Sequence, residues 1–170
     1  MDAGESKEEP GGLACTNWER AQLQRQTCAS IQNPCPVSIT IQPITGTNGQ
    51  TLCQASLTSQ VNLPGTTPNS PSWRIVWTLS PPTTAPAGVS YAFETNNGIL
   101  VTADSDGQLF GRGIGDGQGN NSPLMFHAYS RHNKVNSEVV YLPVILQTDS
   151  STSPATVSLC AVSDPRIVND

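Results

Sequence analysis

Charge is scarce in this chain. Asp, Glu, Lys and Arg make up 12% of its 170 residues, about half the usual share. Thr, Ser, Asn, Gln, Gly and Pro fill the gap, a composition that suits short strands and many turns and suits long helices badly. Basic residues number 8 against 13 acidic ones. They form no stripe, which argues against a nucleic-acid partner. Long apolar runs are missing too. None approaches the roughly 20 residues of a membrane helix, so no membrane span is expected. The first twelve residues are acidic and glycine-rich and do not read as a secretory signal, so an exported protein would be seen here in its mature form.

Several chemical signatures are absent. No C-x2-C pair offers zinc-ligand spacing, and neither H-E-x-x-H nor G-x-S-x-G occurs. Structural zinc, zinc-dependent proteolysis and a serine nucleophile elbow are therefore not expected. The chain is read as non-enzymatic, with no cofactor and no metal.

The charge that is present is uneven. Net charge is −5, of which Asp2, Glu5, Glu8 and Glu9 against Lys7 contribute −3. Residues 1–14 read as a disordered acidic N-terminus. In "TNWE", Thr16 reads as an N-cap and Glu19 as its capping-box partner, which predicts a short helix from about 17 to 30. Residues 15–35 are thus expected to be a short helix and linker, halted before Asn33-Pro34.

From Pro36 the hydrophobic period becomes two. Val37, Ile39 and Ile41 alternate with polar residues, Asn48-Gly49 signals a hairpin turn, and Cys53, Ala55 and Leu57 alternate again. "WRIVWTL" places Trp73, Ile75, Trp77 and Leu79 on one face, and Arg74 and Thr78 on the other. Further strands are expected at 89–93, 99–103, 108–111, 124–131, 138–147 and 155–162, with Pro143 marking an edge or bulge. Eight or nine short strands with regular turns predict an all-β, antiparallel sandwich over residues 36–165.

The most unusual stretch is "TADSDGQLFGRGIGDGQGNN", residues 102–121, with six glycines. Asp104 and Asp106 occupy positions 1 and 3 of a calcium loop. However, Gly107 then falls at position 4 where an EF-hand needs glycine at 6, and position 12 is Gly115 where it needs Glu. Gly111, Gly113 and Gly115 lack the following helix that a dinucleotide fingerprint requires. Asp106-Gly107 is left as a turn, and the later glycines as a passage between strands. Its tail, Asp116, Gly117, Gln118, Gly119, Asn120 and Asn121, is the candidate contact loop. Asn120-Asn121-Ser122 matches a glycosylation sequon, but Pro123 follows directly and the match is read as chance.

Five cysteines occur: Cys15, Cys28, Cys35, Cys53 and Cys160. Their spacing favours disulfides in an oxidising compartment, with one thiol left over or an intermolecular bond. Cys53 shares its phase with Ala55 and Leu57 and should point inward. Cys160 is out of phase with Val157, Leu159 and Ala161 and should point outward. A Cys53–Cys160 bond is therefore not expected. Cys160 is expected to fasten the N-terminal segment through Cys15, Cys28 or Cys35.

The order of these features resembles a bacterial immunoglobulin-like domain of the Big type over about residues 36–147. "VSITIQP", "LCQASL", the tryptophan of "RIVWTLS" and "GILVTADSDGQLFGRGIGDG" carry the resemblance, with Trp77, Asp104, Asp106, Gly107, Gly111, Gly113 and Gly115 in the matching places. The extra "DGQGNNSP", the N-terminal segment and the strand at 155–162 depart from that pattern. The resemblance implies an immunoglobulin-like β-sandwich and a non-enzymatic structural or binding module. Its place would be cell-surface attachment or extracellular assembly, with a protein partner or self-assembly and an extracellular or cell-surface location. A phage virion component, such as a head-decoration or tail protein, is the alternative function and location. A carbohydrate-binding module is the weaker alternative, with a glycan stacked on Trp73, Tyr91 or Tyr129. His127 and His132 are candidate members of a solvent-facing ligand patch.

Overall fold

The computed structural model describes residues 24–27, 34–57, 59–63, 72–104, 106–131, 134, 137–162 and 166–169. The disordered N-terminus expected at 1–14, Cys15, Cys28 and His132 lie outside them. The described residues are all strand, turn and loop. In chain order the first strands are β1 (Gln24–Thr27), β2 (Cys35–Thr45), β3 (Thr51–Leu57), β4 (Ser59–Leu63), β5 (Trp73–Ser80), β6 (Val89–Phe93) and β7 (Ile99–Ala103). They are followed by β8 (Leu109–Ile114), β9 (Met125–Ser130), β10 (Glu138–Pro143), β11 (Ile145–Asp149), β12 (Thr156–Leu159), β13 (Ala161–Val162) and β14 (Arg166–Asn169). Residues 24–27 were expected to be helical and are instead strand, paired in parallel with β4. The remainder of that expected helix is outside the described residues. No helix among the described residues is long and apolar enough to cross a membrane.

Three sheets form. One has six strands in the order β13-β3-β2-β5-β9-β8, one has five in the order β1-β4-β14-β10-β7, and one has three in the order β12-β11-β6. They close in a sandwich-like way on one apolar cluster drawn from all three. The expected alternation sets the inward side. Val37, Ile39 and Ile41 on β2 and Cys53, Ala55 and Leu57 on β3 are all buried. The Asn48-Gly49 turn joins these strands, with Gly49 donating to the Gly46 carbonyl and Gly46 to that of Gln50. Trp77 on β5 reaches across to β10, where its indole N–H donates to the Tyr141 hydroxyl at 3.0 Å. Their rings meet edge to face at 5.2 Å. Phe93 and Phe126, 5.6 Å apart, join β6 to β9.

The pairing is mixed, not purely antiparallel as expected. β2 runs parallel to β5, β13 to β3, and β4 to both β1 and β14. A period of two reports which way side chains point and carries no information on strand direction. Parallel neighbours need a long crossover, and here the path out through β3 and β4 and back to β5 supplies it.

Chain segments also change sheet where the sequence reads as one strand. Residues 138–147 divide at Val144 into β10 and β11, which belong to different sheets. Val144 is spent on the corner, its N–H donating to the Gly98 carbonyl and its carbonyl accepting from Glu94. Pro143 is the last residue of β10 and pairs only with Ile99, the β14 register covering Glu138 to Val140. Its missing N–H therefore costs no ladder bond on that side. The irregularity in β10 falls earlier, between Val140 and Tyr141.

Residues 155–162 divide likewise, and this overturns the cysteine expectation. Cys53 and Cys160 are bonded, with their Cα atoms 4.6 Å apart. The inward positions are Cys160 and Val162, whereas Val157 and Leu159 are exposed. The phase expectation equates apolar residues with the inward side, but β12 is an edge strand that presents them to solvent. At Cys160 the chain leaves β11 and joins β3 as β13, which brings its sulfur to Cys53. Cys160 therefore does not fasten the N-terminal segment. Cys35 is disulfide-bonded as well.

Candidate contact site

The glycine passage builds one side of the six-stranded sheet. Asp104 starts it. Its two carboxylate oxygens accept from the backbone N–H groups of Gln108 and Leu109 at 2.8 and 2.9 Å, and its carbonyl accepts from Gly107. Asp106 instead pairs with Lys134. The two aspartates are thus committed to different partners, and no group of three or more potential metal-ligating side chains occurs among the described residues.

β8 then runs beside β9 with a one-residue register shift between Phe110 and Gly113. Gly111 sits in that bulge at φ +60°, and a Cβ there would come within 2.9 Å of the Tyr129 ring. Just before the bulge Phe110 pairs directly with Tyr129, and their rings stack with centroids 5.8 Å apart and 30° between planes. His127 meets Tyr129 edge-on at 5.9 Å. At the far end the Arg131 guanidinium lies 4.8 Å from the Phe110 centroid, and its Nε donates to the Gly107 carbonyl at 3.0 Å. Arg131, Phe110, Tyr129 and His127 thus form a continuous row on the side of the sheet opposite the core.

The candidate contact loop closes the other end of this row. Gly115 N–H donates to the Met125 carbonyl, and Asp116 N–H donates to the Asn120 carbonyl at 2.9 Å. One oxygen of the Asp116 carboxylate accepts from the N–H groups of Gln118 and Asn120 at 2.7 and 3.1 Å. Asn120 in turn accepts from Ser122 N–H. The Gln118 N–H first, then that of Asn120 and the charge of Arg74, hold the Asp116 carboxyl below the ordinary carboxylate range. Gly115 is required sterically. Its φ is +85°, and a Cβ would lie 1.9 Å from the Asn120 carbonyl oxygen. Asp116, Gly117, Gln118, Gly119, Asn120 and Asn121 are therefore brought together as one self-bonded turn.

The loop is also anchored from below. Arg74 on β5 donates from Nη1 to the Asp116 carbonyl at 2.6 Å. His127 Nδ1 lies 3.1 Å from the Gly115 carbonyl, an acceptor only, so this contact places the ring proton on Nδ1. The Tyr129 hydroxyl reaches the Gly117 carbonyl at 3.5 Å. The side of β5 that carries Arg74 is accordingly covered at Arg74 and Val76, which are 8% and 4% exposed.

Of the three aromatic residues proposed to stack on a glycan, Trp73 and Tyr91 are each 6% exposed. A buried ring has no free face for a sugar, so Tyr129 alone remains, joined by Phe110. Phe110, Arg74 and Arg131 do not stand out in the sequence as site residues. Arg74 does carry a signal: a lone cation inside "WRIVWTL" must find an acceptor if its strand is covered. Phe110 carries none, because the register that sets it opposite Tyr129 is defined only by the fold.

No family model, no curated protein and no solved structure matches this chain.

Proposed function

We propose that this protein is a non-enzymatic binding or assembly module, built on an immunoglobulin-like sandwich and working outside the cytoplasm at a cell surface or in an extracellular assembly. The observation that carries this reading is the braced loop 115–121 beside the Arg131–Phe110–Tyr129–His127 row. A loop whose backbone is already ordered meets its partner without the entropy cost of ordering it. The buried Cys53–Cys160 bond supports the location, since such bonds persist in oxidising compartments and are rare in reducing ones. Fractionation of producing cells, with free thiols alkylated at lysis, tests it. The expected result is oxidised protein in the surface or secreted fraction. Reduced protein confined to the cytosol would sink the reading.

The stacked Phe110–Tyr129 pair favours one particular ligand class as a second reading. Two half-exposed rings, stacked with 30° between their planes, present apolar ring surface against which a sugar ring can pack. A glycan array with the full chain and its Tyr129→Ala variant separates this from a protein partner. An array without hits, or hits that survive the variant, retires it.

A further inference from the structure

We infer that the edge of β12 that no described strand occupies is a self-association edge, through which two copies of this chain join their three-stranded sheets into one six-stranded sheet. The inference names the partner for the assembly reading above and rests on that reading for its biological purpose; its geometry is independent of it.

Val157 and Leu159 are 58% and 63% exposed, the highest values among the exposed large apolar side chains of the described residues. They lie two residues apart on one strand and so share one face. β12 pairs with β11 through Leu146–Leu159 and Thr148–Val157 and has no second strand neighbour among the described residues. Edge strands are normally guarded by short length, charge, an internal proline or a bulge. β12, four residues long, has only the first of these. Residues 150–163 read "SSTSPATVSLCAVS", without a charge, and Pro154 falls before the strand.

This neutrality selects the occupant. A charged strand finds no ion-pair partner at such an edge, whereas a second β12 meets it with no like charges opposed. The register is self-complementary as well. A two-fold axis perpendicular to the sheet keeps each side chain on its own face. With Ser158 on that axis, Val157 of each copy stands opposite Leu159 of the other. Four apolar side chains then form one cross-strand cluster while the two edges complete each other's hydrogen-bond ladder.

The test is light scattering across a concentration series on the full chain, its free thiol capped with iodoacetamide so that no intermolecular disulfide contributes. The expected result is a concentration-dependent dimer. Val157→Lys and Leu159→Lys, at exposed positions that leave the core intact, should each weaken it at least tenfold with an unchanged melting temperature. Leu159→Thr serves where a lysine variant does not fold. Leu100→Lys, at an exposed position on β7, should leave the dimer unchanged. A monomer at every concentration would overturn the inference, as would a dimer indifferent to all β12 substitutions. Either result leaves the surface-module reading standing, since that reading is decided by fractionation.

Discussion

Arg74, the second residue of core strand β5, donates to the main-chain oxygen of Asp116, 42 residues further along, at 2.6 Å. This bond makes the contact loop part of the sheet's covering and not a free excursion. Arg74→Leu keeps the apolar bulk and removes the donor. A hydrogen bond from a charged donor contributes about 1.5–3 kcal/mol, so a loss of that order is expected in urea denaturation. Hydrogen exchange at Gln118 and Asn120 should accelerate in the same variant. Unchanged protection at those two amides would show that the loop holds itself without the anchor.

Two glycines of the loop should respond differently. Gly115→Ala drives a Cβ into the Asn120 carbonyl at a left-handed φ, whereas a Cβ added at Gly119, at φ +107°, would meet nothing within 4 Å. Backbone strain alone costs about 1–3 kcal/mol, so both variants should lose stability. Gly115→Ala should lose clearly more and should release the Gln118 and Asn120 amides. Equal melting temperatures for the two would contradict the packing described.

The Cys53–Cys160 bond spans 107 residues of sequence. Closing so long a loop is worth about 2–5 kcal/mol. The double variant Cys53→Ala, Cys160→Ala should be destabilised by that amount in chemical denaturation. With Cys53, Cys160 and Cys35 all bonded, unreduced protein in denaturant should titrate as one free thiol per chain. Five free thiols would exclude the pairing, and three would leave Cys35 unbonded.

Tyr141 is fully buried and accepts the Trp77 indole hydrogen bond, and burial pushes its phenol well above the ordinary range. Tyr141→Phe leaves the Trp77 N–H buried without an acceptor, a loss of about 1–3 kcal/mol. Trp77→Phe in the same background should recover part of it. Additive losses in this double-mutant cycle would deny the coupling.

The acid response has a definite sign. The carboxyl of Asp116 is held down chiefly by the Gln118 N–H, and that of Asp149 by the Ser151 hydroxyl and then its N–H. A carboxyl lowered in the folded state stabilises it fully above the unfolded value, near 4. That contribution is lost as pH falls through the lower folded value. The amide signals of Gln118, Asn120 and Ser151 should therefore stay constant from neutrality to about pH 4 and shift only below it. A transition between pH 5 and 7 would assign loop opening to another group.

Side-chain orientation was legible wherever one strand stayed in one sheet, as at Val37, Ile39 and Ile41. It failed where a strand crossed between sheets, because Val144 and Cys160 differ in no visible way from their neighbours until the corner's hydrogen bonds are known. The phase error at Cys160 has a plain cause: apolarity stands in for burial in such a reading, and at an exposed edge the two separate. The turn chemistry of the glycine passage was partly legible. The spacing of the aspartates departs from that of a calcium loop, and in the structure Asp104 accepts from the Gln108 and Leu109 amides while Asp106 pairs with Lys134. The row on the sheet's outer side was not legible, since it depends on the β8–β9 register that sets Phe110 opposite Tyr129.

β14 lies in the middle of the five-stranded sheet, with β4 on one side and β10 on the other. Its pairing of Ile167 with Val61 reaches back across roughly a hundred residues, the kind of distant contact that slows folding. This layer is thus closed from its centre by a strand that arrives after every other strand in it. Until residues 166–169 dock, β4 and β10 face each other across a gap with two raw edges, and a nascent chain paused before them would be at its most prone to aggregate.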